Sequence, residues 1–220
     1  MWHQLSTFMF SEKIGGKLPE RVRETIIQRQ CEAERLIGWV QLVLVSFFAV
    51  LFAVAPPPAE MVPYQLEPWA IGLYLAFTLI RLACAYRNYT PPWLLVISVV
   101  MDIGVLMALI FSFHIKYMQP PSFYLKAPTV MYVFIFIALR ALRFEPRYIL
   151  LTGAAAVVGW LALVLFVVFG VDGDTMVTRN YVTYLTDNAI LIGAEIDKML
   201  SIVVVTLVLA GAVLRAQRTF

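Results

Sequence analysis

Residues 93-WLLVISVVMDIGVLMALIFSF-113 contain one charged side chain, Asp102, in 21 positions. An apolar run of this length matches the roughly 20 helical residues needed to cross a hydrocarbon core of about 30 Å. The whole chain is similar in character, since 61% of its 220 residues are hydrophobic and 14% are charged. Soluble domains have roughly 45–50% apolar residues. We therefore predict an all-α, polytopic membrane protein.

Six apolar segments predict a six-helix transmembrane bundle. They are 37–55, 69–86, 93–113, 127–142, 148–170 and a last one that ends near residue 214. We expect the fourth span to begin earlier, near Phe123, and the sixth to extend back past Lys198. Small residues between Gly153 and Gly159 permit close helix packing in the fifth span. The outer connection before the sixth span could hold a short helix or a loop.

The positive charges are distributed unevenly about these spans. Four of the 17 lysines and arginines, Lys116, Lys126, Arg179 and Lys198, fall on one side, and thirteen fall on the side that holds both termini. Lysine and arginine are enriched in cytoplasmic loops. We therefore predict that both termini are cytoplasmic. The predicted domains are a cytoplasmic N-terminal segment (1–36), a six-span membrane domain (37–214) and the start of a cytoplasmic C-terminal extension (215–220).

The N-terminal segment is predicted to contain an amphipathic cytoplasmic helix that runs into the first span. Pro19 follows the breaker Gly15-Gly16, and apolar residues then recur at near-helical spacing among charged ones. This helix could lie on the inner leaflet or pack against a partner or output domain. The first 36 residues contain no apolar signal-peptide core, so we expect no cleaved signal peptide.

The residues that commonly carry catalysis are missing or separated. The sequence shows no phosphate-binding glycine loop and no metal-ligand cluster, and the predicted topology places His3 and His114 on opposite membrane faces. Cys31 and Cys84 both fall on the cytoplasmic side and are expected to be free thiols. The net charge of +3 is too small to indicate nucleic-acid binding. We predict no catalytic, cofactor-binding or metal-binding residue in this chain, and no nucleic-acid partner.

Asp102 is the acidic residue deep in a predicted span. A charged side chain there costs about 2.5–3.5 kcal/mol on insertion scales, so it needs a partner or a proton. It could form a structural hydrogen bond to a neighbouring helix or dimer partner, or belong to an ion or proton relay. Arg81 and Arg140 are expected to reach the headgroups, and an ion pair of either with Asp102 is conceivable. Asp102 stands nearly alone in the sequence, which weakens a transporter function.

The stretch 187-DNAILIGAEIDKML-200 places charges at the entrance to the sixth span. Lys198 follows Glu195 by three residues, so the two can pair on one helix face, whereas Asp197 points elsewhere. Together with polar and aromatic residues of the facing loop they define a predicted outer mouth. Its members are Lys116, Tyr124, Lys126, Asn188, Glu195, Asp197 and Lys198. The outer mouth is either an aromatic belt with solvated charges or a receptor pocket whose occupancy moves the sixth helix.

Three stretches together carry a resemblance to a known family. They are 30-QCEAERLIGWVQL-42, 119-QPPSFYLKAPTVMYVFIFIALRALRFEPRYILL-151 and 180-NYVTYLTDNAILIGAEIDKMLSI-202. From about Gln30 to Arg215 the chain resembles the N-terminal six-span membrane region of proteobacterial class III adenylate cyclases. The resemblance implies a bacterial inner membrane and a homodimer. It also implies a sixth helix that continues into a magnesium-dependent cyclase domain, and a lipophilic or small-molecule ligand.

The sequence as far as Phe220 does not contain that domain, so no residue here corresponds to a catalytic residue of the cyclases. Whether the chain belongs to an enzyme is therefore left open by the sequence. It is either a truncated product or a free-standing membrane module. We expect a membrane anchor, dimerisation and sensor module for cAMP signalling, in which a signal at the outer mouth shifts the sixth helix. The alternatives are a small transporter or channel that uses Asp102, and a purely structural anchor.

Overall fold

The structure, a computed structural model, describes residues 20–54, 67–170 and 177–219. The elements of these ranges are helical, and a single parallel bridge joins Val177 to Ile190. In chain order they are α1 (Glu20–Val54), α2 (Glu67–Tyr86), α3 (Pro92–Lys116), α4 (Ser122–Leu125), a 3₁₀ turn (Pro128–Met131), α5 (Tyr132–Ala141), α6 (Pro146–Phe169), α7 (Tyr181–Thr186) and α8 (Ile192–Thr219). The predicted all-α class is confirmed for this part of the chain.

Five helices of the described ranges, α1, α2, α3, α6 and α8, are long and apolar enough to cross a membrane. The predicted fourth span corresponds to a shorter apolar helical segment, Pro128–Ala141. The count of six crossings therefore stays a prediction. Cys31 and Cys84 are free thiols, as expected.

The expectation that the fourth helix begins near Phe123 is wrong. α4 ends at Leu125, Ala127 is extended at φ −66° and ψ 133°, and the 3₁₀ turn begins at Pro128. The ring of a proline clashes with a helical residue before it, so Ala127 interrupts the helix. The remaining segment, Pro128–Ala141, runs from the connection after α3 to the turn before α6.

The predicted amphipathic segment and the first span form one continuous helix, α1, of 35 residues. Pro19 and the residues before it lie outside the described ranges. The position of the first turns of α1 relative to the membrane stays a prediction. In the connection between α6 and α8, which is the predicted last outer connection and where the sequence left helix or loop open, Tyr181–Thr186 forms a short helix whose first turn is capped by the Asn180 side chain.

Tight connections join the helices in the middle of the chain. Pro92 and Pro146 start α3 and α6, where the missing proline N–H has no helical acceptor. Asn88, Met118 and Phe144 adopt positive φ angles of 54°, 50° and 58° in the turns after α2, α3 and α5. A left-handed residue after a helix reverses the chain within a few positions.

α3 lies at the centre of the bundle. In the most apolar 18-residue stretch of α3, half of the residues are buried inside the protein. The corresponding share is 22% for α1 and for α8, which lie at the periphery. α1 packs mainly on α2, and α8 mainly on α6. At the α6–α8 crossing, a Cβ atom on Gly153 would lie 2.2 Å from the Thr206 Oγ1 atom, so this crossing requires glycine.

Candidate functional site

Asp102 has three hydrogen-bond donors inside the bundle. The Gln41 Nε2 atom lies 2.7 Å from one carboxylate oxygen of Asp102, the Tyr74 hydroxyl lies 3.0 Å from the other, and Arg140 forms an ion pair with the carboxylate. The donors come from α1, α2 and α5, and all four side chains are buried. The prediction that Asp102 stands nearly alone is therefore wrong, and the ion pair left open with Arg140 is formed. We call these four residues the Asp102 cluster.

Arg81 is also buried, with 2% of its surface exposed. The expectation that its side chain extends out of the bundle to the headgroups is therefore wrong. The Glu34 carboxylate on α1 lies 3.7 Å from the Arg81 Nε atom and 2.9 Å from the Arg143 Nη1 atom. Glu34 itself is 1% exposed. A buried charge is tolerated where an opposite charge compensates it. Glu34 is hydrogen-bonded to Arg143 and lies within ion-pair distance, but not hydrogen-bond distance, of Arg81.

The turn between α5 and α6 extends this network. The Glu145 carboxylate lies 2.5 Å from the Arg143 Nε atom and 2.5 Å from the Arg147 Nη2 atom. Burial by itself lowers the pKa of Arg143, but the attraction of Glu145 and Glu34 outweighs it and raises the pKa. Arg143 therefore stays charged. We call Glu34, Arg81, Arg143, Glu145 and Arg147 the inner cluster.

At the other end of the bundle, Lys198 connects three elements. Its Nζ atom lies 2.8 Å from the Glu195 Oε1 atom on α8 and 2.6 Å from the Leu125 carbonyl oxygen, and 5.0 Å above the Trp160 ring of α6. Trp160 donates its Nε1 hydrogen to Glu195 over 3.1 Å. The pairing predicted from the three-residue spacing is present, and Glu195 is 1% exposed. We call these residues the outer junction.

Lys126 lies beside the outer junction but has different partners. Its Nζ atom donates to the Asp187 carbonyl oxygen and lies 5.0 Å from the centre of the Tyr184 ring. Burial lowers the pKa of Lys126, and the nearby Asp187 carboxylate partly offsets this shift. Burial also raises the pKa of Tyr184. Lys126 therefore fastens the last outer connection to the segment between α4 and α5.

The predicted outer mouth is divided in the structure. Tyr124 is buried and donates its hydroxyl to the Leu163 carbonyl oxygen, whereas Asn188 and Asp197 are exposed. Lys116 contacts α1 and α2 rather than α8, because its Nζ atom lies 3.9 Å from Glu67 and 5.0 Å from the Phe52 ring centre. Glu195 and Lys198 thus belong to the outer junction, Lys126 lies beside it with partners of its own, and Lys116 belongs to another site.

The partners that sequence reasoning missed are Gln41, Tyr74, Glu34 and Glu67. Gln41 interrupts an apolar stretch and Glu67 lies directly before another, which were the available signals. Among the described side chains, no group of three or more His, Cys, Asp or Glu residues could hold a metal ion. The arrangement provides ion pairs and hydrogen bonds between helices.

Comparison with known proteins returned no match: no family model, no curated protein and no solved structure is significantly similar to this chain.

Proposed function

We propose that the chain is the membrane anchor, dimerisation and sensor module of a class III adenylate cyclase in a bacterial inner membrane. One observation carries the sensor part: the Lys198 side chain joins the first turns of α8 to α6 and to the last residue of α4. A ligand or partner that competes for these contacts would release or displace α8. The resemblance of the sequence supports the choice of cyclase as output.

α8 is also in contact with the opposite end of the bundle. The Gln217 side chain donates to the Phe144 carbonyl oxygen over 2.5 Å, in the turn that carries the inner cluster. A rigid helix fixed at both ends transmits a displacement along its length. Such a switch needs a signal with different affinity for the two positions of α8. The signal is a lipophilic or other small molecule in this proposal.

The proposed topology has six crossings with both termini in the cytoplasm. It is supported by the uneven distribution of lysine and arginine described above. It is also supported by the contacts of the fourth segment, since Lys126 binds the carbonyl of Asp187 in the last outer connection and Arg143 binds Glu34 at the other end.

A chimaera tests the sensor function. The 220-residue chain is fused in frame to a class III cyclase catalytic domain, and cAMP is measured in a cyclase-deficient bacterium. We expect Lys198→Gln to change cAMP production by about fivefold or more, a typical allosteric coupling. Asp197→Asn is the matched control, because Asp197 is exposed and forms no ion pair among the described residues. Equal activity of both variants and the unmodified chimaera would contradict the proposal.

The output domain and the dimer are tested separately. Sequencing the source DNA downstream of the codon for Phe220 shows whether a cyclase domain, with its magnesium site, follows in frame. Cross-linking in native membranes shows whether two copies associate. A different output domain would refute the cyclase assignment and leave the sensor role to be tested with that domain.

The alternative function, a transporter or channel that uses Asp102, has less support. The Asp102 carboxylate is fully engaged by Gln41, Tyr74 and Arg140, as a structural group would be. This alternative predicts solute or proton flux in liposomes that is lost in Asp102→Asn. Absence of flux in the unmodified protein would exclude it.

A further inference from the structure

A cavity of about 220 Å³ lies between α1, α2, α3 and the beginning of α5. Its walls are mainly apolar and include Phe48, Phe52, Ile71, Leu109 and Phe113. An engineered apolar cavity of about 150 Å³ is large enough to bind benzene. This cavity is therefore large enough for a small organic molecule or part of an alkyl chain.

The cavity has a polar end formed by Glu67 and Lys116. Glu67 is 7% exposed, and its Oε1 atom is buried without a hydrogen-bond partner among the described residues. The nearest cation, the Lys116 Nζ atom, is 3.9 Å away, which is too long for a hydrogen bond. A buried acceptor without a donor is costly. The Glu67 carboxylate therefore favours a ligand that supplies a hydrogen-bond donor.

The two charges restrict the headgroup of such a ligand. An anionic headgroup would be attracted by Lys116 but repelled by Glu67, and a cationic headgroup would be attracted by Glu67 but repelled by Lys116, so neither charge gains a clear net attraction from the pair. A hydroxyl group both donates and accepts, so it can donate to Glu67 and accept from Lys116. The apolar walls then take the hydrocarbon chain.

We propose that this cavity, which we call the Glu67 cavity, binds a neutral single-chain amphiphile with a hydroxyl headgroup. The cavity is separate from the outer junction, with which it shares none of its lining residues. As a ligand class for the sensor, the proposal rests on the proposed function. Binding itself is tested without any cyclase readout, so failure of one proposal is distinguishable from failure of the other.

Photolabelling of the full chain tests the proposal. The protein is placed in phosphatidylcholine nanodiscs, a medium-chain primary alcohol carrying a diazirine is photolysed, and labelled peptides are identified by mass spectrometry. We expect saturable labelling of the peptides that contain Phe48 and Phe113. 1-Octanol should suppress the labelling at a concentration about tenfold lower than octanoate or octylamine needs. This ratio corresponds to one hydrogen bond to a charged group.

Two variants and a control locate the site. Ile71→Trp fills the cavity and should abolish the saturable labelling, whereas Leu79→Trp, at a 48% exposed position of the same helix, should leave it unchanged. Glu67→Gln preserves the shape and should remove the preference for the alcohol over octanoate. This second variant keeps the test decisive if Ile71→Trp does not fold.

Two results would overturn the proposal. One is labelling spread evenly over exposed positions such as Leu79 and Leu207, without competition by 1-octanol, which would show partition into the bilayer alone. The other is equal competition by the alcohol, the acid and the amine, which would show that Glu67 and Lys116 do not select the headgroup.

Discussion

Asp102 shows how a carboxylate is accommodated in an apolar helix. Its oxygens accept from Gln41 and Tyr74 and pair with Arg140, so each charge is compensated inside the bundle. The insertion cost of an isolated charge, about 2.5–3.5 kcal/mol, is offset only while all partners are present. The Asp102–Arg140 ion pair joins α3 to α5, and the hydrogen bonds from Gln41 and Tyr74 join α3 to α1 and α2.

Replacement of Asp102 by asparagine should therefore destabilise the protein. We expect the free energy of unfolding to fall by about 3 kcal/mol or more, because Arg140 would keep a buried charge without an anion. Thermal unfolding in detergent, followed by tryptophan fluorescence, measures the loss. The control Ser98→Ala removes a buried hydroxyl that bonds only to the Leu95 carbonyl of its own helix, and should cost about 1 kcal/mol or less.

The double variant Asp102→Asn with Arg140→Met tests the reason for that loss. It removes both charges, so most of the stability lost in the single variant should return. A double variant as unstable as Asp102→Asn alone would show that the loss does not come from the unpaired arginine.

Local spacing was sufficient to predict one ion pair and insufficient for the others. Glu195 and Lys198 are three residues apart on one helix, so their contact follows from helix geometry alone. The partners of Asp102 are 28, 38 and 61 residues away, and their contact depends on which helix faces meet. The sequence likewise does not show that Glu34 of α1 lies beside Arg81 of α2. The expectation that Arg81 extends to the headgroups was wrong because this buried partner could not be predicted.

At the scale of elements, Met118 occupies a conformation that favours glycine. Its φ of 50° places it in the left-handed region. This backbone conformation costs a residue with a Cβ atom about 1–2 kcal/mol relative to the right-handed one. The turn is closed by a hydrogen bond from the Gln119 amide to the His114 carbonyl. Met118→Gly should therefore raise the free energy of unfolding by about 1 kcal/mol. Met118→Ala, which keeps the Cβ, should not, and equal effects would contradict this explanation.

The α6–α8 crossing depends on Gly153. A Cβ there would lie 2.2 Å from Thr206 Oγ1, so Gly153→Ala should separate the helices and cost about 1–3 kcal/mol. Gly104→Ala is the matched control, since a Cβ at Gly104 meets no atom within 4 Å. Chemical denaturation in mixed micelles compares the two. A control that is as unstable as Gly153→Ala would show that the loss comes from glycine replacement in general.

Element positions could be predicted better than element continuity. The apolar runs located α2, α3 and α6 within a few residues, because length and hydropathy are read along the chain, whereas the run at 37–55 covers only the second half of α1. The break at Ala127 also had a local signal in Pro128, but the apolar residues on both sides favoured a continuous helix. The small residues near Gly153 indicated close packing, and only the structure shows that Thr206 is the residue that packs there.

At the scale of the whole molecule, six crossings make a definite prediction for accessibility. Single cysteines at Tyr89, Gln119, Leu142 and Asn188, in a background without Cys31 and Cys84, are labelled with a membrane-impermeant maleimide in spheroplasts. All four positions are exposed in the structure. We expect labelling at Gln119→Cys and Asn188→Cys in intact spheroplasts, and at Tyr89→Cys and Leu142→Cys only after permeabilisation. Labelling of Leu142→Cys from outside would show that the fourth segment does not cross.

The length of that fourth segment has a consequence for the surrounding lipid. Four residues of 3₁₀ turn and ten of α-helix span about 23 Å, whereas the hydrocarbon core is about 30 Å thick. Met131, Ile135 and Leu142 are exposed along it, so lipid tails meet this short surface. The neighbouring helices match an ordinary membrane, so the mismatch is confined to one side. Under the proposed topology of six crossings, we expect the bilayer to become thinner there and the protein to be most stable among lipids with short acyl chains.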